Sequence, residues 1–87
     1  MFLSLFSLFF MKKLVLNMSK LKTKIRELRR ESNMKQEQLA KLVGVRRETI
    51  VHLENERYNP SLKLGMDIAK VFGKSVEEVF EFIEDDE

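Results

Sequence analysis

Residues 36–55, QEQLAKLVGVRRETIVHLEN, leave this chain few folds to choose from. Leu39, Ala40, Leu42 and Val43 recur at helical spacing, with Gln36, Glu37, Gln38 and Lys41 left for solvent, so residues 36–43 read as one short amphipathic helix. Gly44 ends the run, since glycine most easily takes the left-handed conformation that closes a helix. Val45 then points back to the core, and from Arg46 the period restarts. Ile50 and Leu53 lie three apart on one face, while Arg46, Arg47, Glu48, Val51 and His52 occupy the others. The pattern predicts two helices across a tight turn, the second with a buried edge and an outward face rich in hydrogen-bonding groups.

Eighty-seven residues make one small domain, near the size at which a single core only just suffices, and a dimer interface would add to it. There is no cysteine, which excludes a disulfide framework and a thiolate metal site and fits a reducing cytoplasm. The formal net charge of +2 says little, but its distribution says more. Residues 1–57 carry 13 Lys or Arg against 6 Asp or Glu, about +7, whereas residues 58–87 carry 3 against 8, about −5. That asymmetry predicts a basic working face and an acidic opposite end.

Residues 1–20 form an apolar and basic extension. Residues 1–10, MFLSLFSLFF, are too short to span a bilayer, which takes roughly 20 apolar residues. A signal peptide is also a poor fit, because Lys12 and Lys13 follow the apolar run instead of preceding it. Met11 and Met18 offer later starts just ahead of the domain. The segment therefore reads as lying outside the domain proper, with an apolar strip for a dimer surface or a membrane-surface anchor as the functional alternatives. Within it, residues 12–17, KKLVLN, suit a short extended piece.

The domain is expected over residues 21–83, with an acidic tail at 84–87. A first helix is predicted over residues 21–32, with Leu21, Ile25, Leu28 and Ser32 on one stripe and Lys22, Lys24, Arg26, Arg29 and Arg30 around it. One or two of these cations are expected to reach phosphate. Asn33 suits a left-handed exit, and Met34 a plug before the next helix. After Asn55, the run ERYNPS is a turn around the one proline, and Ser61 caps a helix through Leu64, Ile68, Val71 and Phe72 that Gly73 stops. Ser75 and Glu78 form a capping-box pattern opening a last short helix, and residues 80–83 alternate enough for a terminal strand.

Catalytic chemistry finds no foothold in these residues. The single histidine, His52, has no nucleophile to activate and no partners for a metal cluster, and the three glycines are isolated, so no phosphate-binding loop exists. No metal, cofactor or small-molecule substrate is expected. The phenylalanines read as core and dimer packing.

Residues 22–82 resemble the Xre and Cro-type helix-turn-helix regulators, which include the lambdoid phage repressors. The carrying motifs are IRELRRESNMKQEQLAKLVGV, then IVHLEN, then RYNPSLKLGMDIAKVFG. The implied fold is all-α, a five-helix lambda-repressor-like domain with a short terminal β-strand pair as an option. The implied function is a non-enzymatic, sequence-specific regulator, a cytoplasmic homodimeric repressor that places the helix over residues 46–55 in the major groove of double-stranded DNA. The resemblance assigns base contacts to Arg46, Arg47, Glu48, Thr49 and His52. Arginine can pair bidentately with guanine, and glutamate accepts from the cytosine amino group. Gln36, Asn55 and Arg57 match backbone contacts. Arg29 and Glu54 match a buried ion pair, and Val79, Phe80, Phe82 and Ile83 a dimer interface. The family often has a serine cap where Arg46 stands, so here a cation replaces the cap. Two competing readings keep the fold: an antitoxin-like or coactivator-like interaction module, and a regulator tethered to a membrane by residues 1–10.

Overall fold

A computed structural model describes residues 20–83. In chain order the elements are β1 (Lys20–Thr23), α1 (Ile25–Glu31), α2 (Gln36–Val43), α3 (Arg47–Glu54), α4 (Leu62–Val71), α5 (Val76–Val79) and β2 (Phe80–Ile83). Five helices thus enclose one core, and the two short strands close the ends of the domain on each other.

That core is built from Ile25 of α1, Leu39 and Ala40 of α2, Ile50 and Leu53 of α3, Leu64, Ile68 and Ala69 of α4, and Val79 and Phe80 at the end of the domain. Helix α2 packs against both α3 and α4, α1 against α3, and α4 against α5. Phe80 packs on α4 at Gly65, its ring 3.6 Å from where a side chain would begin, an ordinary contact distance. Leu42, expected on the buried edge of α2, is 62% exposed. At about 100° per residue the stripe runs from Leu39 through Val43 to Ala40, and Leu42 falls about 60° outside it.

Residues 21–32 are not one helix. Leu21 and Ile25 have helical spacing, but Lys20–Thr23 also alternates between exposed and covered positions, the period of a strand. Tertiary pairing decides for the strand. β1 and β2 run antiparallel, with Leu21 opposite Phe82 and Thr23 opposite Phe80. The Lys24 amide donates to the Val79 carbonyl at 2.9 Å, and the Ile25 amide donates to Thr23 Oγ1 at 3.3 Å, so the chain turns at Lys24 before α1 begins.

This pairing also corrects the expected dimer surface. Val79 and Phe80 are 1% and 9% exposed and belong to the protomer's own core, leaving Phe82 and Ile83 at the surface. A strand that closes the described domain on itself places its first apolar residues in that closure. Residues 1–10, 12–17 and 84–87 lie outside the described residues.

Candidate nucleic-acid interface

Helices α2 and α3 are joined at Gly44, whose φ of 75° is left-handed, and the Val45 amide donates to the Ala40 carbonyl at 3.0 Å. Ile50 and Leu53, fully buried, fix α3 against the core. Its opposite side carries Arg46, Arg47, Glu48 and His52, all exposed, with Thr49 half-buried. Among the described residues none of these makes an ion pair; the described pairs are Arg26–Glu54, Arg29–Glu54 and Lys63–Asp67.

The N-termini of α2 and α3 differ from those of α4 and α5. Ser61 Oγ accepts from the Leu64 amide at 3.1 Å, and Ser75 and Glu78 cap each other reciprocally at 2.8 and 3.2 Å. The capping positions of α2 and α3 hold Lys35 and Arg46, whose own side chains accept nothing from the first turn, although Gln38 Oε1 accepts from the Lys35 amide at 2.7 Å. A lysine or arginine head offers only donors and so cannot cap the first-turn amides. In α3 the Thr49 amide turns back to the Arg46 carbonyl at 3.0 Å, the amides before it keep no side-chain cap, and a positive charge stands beside them. Free amides, the helix dipole and a cation together favour an anion.

Behind α3 a single carboxylate ties three helices. Glu54 Oε2 accepts from Arg29 Nε at 2.7 Å, and Oε1 accepts from Arg29 Nη2 at 3.1 Å, Gln36 Nε2 at 3.0 Å and Arg26 Nε at 3.3 Å. Arg29 Nη1 also donates to the Met34 carbonyl at 2.8 Å, holding the turn between α1 and α2. Burial acts to raise the Glu54 pKa, but the hydrogen bonds from Arg29 and Gln36, the Arg29 charge and the Arg26 bond outweigh it and hold the carboxyl below its ordinary value. Glu54 is therefore an ionised strut inside the domain.

Two concavities flank α3, one mainly polar and one mainly apolar. Arg26, Arg30, Lys35, Gln36, Glu37 and Arg47 line one, and Thr49, His52, Arg57 and Tyr58 line the other. Arg57 is drawn back to the helix end by its amide, which donates to the His52 carbonyl at 3.0 Å, with Glu56 left-handed at φ 61°. The structure therefore gathers Arg46, Arg47, Glu48, Thr49, His52, Asn55 and Arg57 on or beside one helix, whereas the Gln36 side chain is held to Glu54. Sequence reasoning had named Arg26 only as one of five cations around the first helix, and had given no role to Lys35 or Tyr58. Arg26 precedes Arg29 by three residues, a helical spacing that could have marked both as facing Glu54.

A helix-turn-helix family model matches residues 25–79, more than half of the chain. The chain belongs to the Xre-type helix-turn-helix regulators. This Xre-type regulator is 56% identical over 66 residues to an uncharacterized HTH-type transcriptional regulator of Archaeoglobus fulgidus, covering 76% of this chain and 93% of that one. It is 42% identical over 60 residues to the uncharacterized HTH-type transcriptional regulator YgzD of Bacillus subtilis, covering 69% and 91%. In fold it is similar to the transcriptional regulator VanUg, with a TM-score of 0.65 at 22% identity over 77% of this chain and 89% of that one. The clp gene regulator ClgR of Corynebacterium glutamicum gives 0.59 at 24% identity over 62% and 57%. The Xre-type family is one of DNA-binding transcriptional regulators, and the exposed face of α3 is its candidate working surface. Among the described residues no helix is long and apolar enough to cross a membrane.

Proposed function

We propose that this protein is a sequence-specific, cytoplasmic repressor that lays α3 in the major groove as a homodimer. The observation that carries the reading is the outward face of α3. Arg46, Arg47, Glu48 and His52 stand exposed and without ionic partners among the described residues, while Arg26, Arg29 and Glu54 behind the helix are paired with one another. Such side chains are free to meet base edges, with Arg46 and Arg47 suited to guanine and Glu48 to cytosine. Thr49 and His52 lie further along the same helix.

Backbone contacts fall to the flanks. The first-turn amides of α2 beside Gln36 and Lys35 suit one phosphate, and Asn55 and Arg57 suit another across the groove. Phe82 and Ile83, exposed on β2, support a dimer seam, which would set two α3 helices about one helical turn, roughly 34 Å, apart on the DNA. Bound in this way, the dimer blocks a promoter by occupying it.

Selecting bound fragments from random duplex tests the reading. The expected product is a two-fold symmetric site whose preference is lost in R46A/R47A. Unchanged preference and affinity in that double variant would remove α3 as the reading element.

A further inference from the structure

Asn55 closes α3, and its exposed side chain is held from one side. Arg26, on α1, bridges the helix end: Nε donates to Glu54 Oε1 at 3.3 Å and Nη2 donates to Asn55 Oδ1 at 3.2 Å. A guanidinium has five N–H donors and no acceptor, so only the carbonyl oxygen of the Asn55 amide can face it. With Oδ1 turned towards Arg26, the Nδ2 end of the amide is left free to donate elsewhere. Gln36 is the converse case. It faces a carboxylate and must turn Nε2 inward, to Glu54 Oε1 at 3.0 Å, which keeps at most one N–H for the outside. Phosphate oxygens accept and do not donate, so Asn55 has the polarity a phosphate needs and the Gln36 side chain largely does not.

We propose that Arg26 is a positioning residue for DNA backbone binding, acting by setting the Asn55 amide so that Nδ2 donates to a phosphate. This rests on the reading of α3 and its ends as the DNA interface. Arg26 is itself held in place, because Glu54 anchors its Nε and is in turn fixed by Arg29. The ion network behind the helix thereby reaches the DNA surface through one side-chain amide.

A double-mutant cycle on duplex affinity tests this, using R26A, N55A and the double variant, with melting temperatures measured alongside. R26A should weaken binding roughly tenfold in the wild-type background, about what one hydrogen bond to a charged group contributes, and less than twofold in N55A. R26K, which keeps a donor, should recover part of the loss. Asn55→Asp should keep the Arg26 contact and the melting temperature while weakening binding at least as much as N55A, because a carboxylate oxygen replaces the outward donors. In the 15N-labelled protein the Asn55 side-chain amide signals should move in R26A before any DNA is added. R26Q runs the same cycle if R26A unfolds. Equal losses for R26A in both backgrounds, or none in either, would overturn the proposal, as would tight binding by N55D. Should N55A bind normally while R46A/R47A loses its preference, the proposal fails and the α3 reading stands; if neither change matters, the interface reading itself fails.

Discussion

Arg29 Nε donates to Glu54 Oε2 at 2.7 Å and Arg29 Nη2 to Glu54 Oε1 at 3.1 Å, a two-point ion pair between α1 and the last residue of α3. The two side chains are 11% and 0% exposed. Removing Arg29 leaves the buried Glu54 carboxylate with only Gln36 and the longer Arg26 contact, so Arg29→Ala should lower stability by about 3 kcal/mol, the low end for breaking a buried pair, seen as a lower urea midpoint at an unchanged slope. Replacing both at once, Arg29→Met with Glu54→Leu, should cost less than the two single changes together. A double variant as unstable as the summed singles would mean that the pair is not coupled.

The same carboxylate sets an acid response. Glu54 titrates below its ordinary 4.5 in the folded protein, so near that pH the unfolded chain binds more protons than the folded one. Its contribution is complete above about pH 4.5 and fades as pH falls through the lower folded value. Melting temperatures across the acid range, down through that value, should therefore fall more steeply in the wild type than in Glu54→Gln, which starts lower but has no such group to protonate. Parallel curves would contradict the ionised strut.

Arg57, beside Tyr58 on the far flank of α3, is expected to neutralise a phosphate. Arg57→Ala should weaken binding to all duplexes alike and reduce the slope of log affinity against log salt by about 1. A change in sequence preference instead would move Arg57 to the reading side.

Phe80 and Phe82 both lie on β2, with opposite fates. Phe80 is 9% exposed and packs on α4 at Gly65, whereas Phe82 is 64% exposed. Phe80→Ala should cost about 3–5 kcal/mol. Phe82→Asp should leave the protomer folded but shift sedimentation towards monomer. If that variant still sediments as a folded dimer, the seam lies elsewhere.

Glu56 holds φ 61° just after α3, where a side chain is strained. Left-handed backbone costs a non-glycine residue roughly 1–2 kcal/mol, part of which glycine gives back through its freer unfolded chain. Glu56→Gly should raise stability by about 1 kcal/mol, several degrees in melting temperature for a domain this small. It also removes an anion beside the DNA flank, so affinity should not fall. A lower melting temperature would show that Glu56 makes a compensating interaction.

Much of this protein is local and hence written in short stretches. Gly44 and Asn33 supply the left-handed exits, at φ 75° and 54°, and Ser61, Ser75 and Glu78 supply caps, each by chemistry confined to a few residues. The face of α3 was legible for the same reason, since Ile50 and Leu53 fix which side is buried and leave Arg46, Arg47, Glu48 and His52 on the other.

Non-local pairing decided the rest. Residues 20–23 fit a helix or a strand, and the distant partner at residues 80–83 makes them a strand. Val79 and Phe80 resemble Phe82 and Ile83 in sequence, yet only the packed core tells which pair it absorbs. The polarity of Gln36 and Asn55 is likewise invisible in a sequence. An amide has a donor end and an acceptor end of nearly equal shape, and a carboxylate from α3 and a guanidinium from α1 choose between them only once the helices are docked. The sequence by itself determined the helices, their caps and the exposed face of α3, because periodicity and capping act over a turn or two. The tertiary structure decided the strands, the surviving apolar surface and the direction of the side-chain amides, because those depend on partners 18 to 63 positions away.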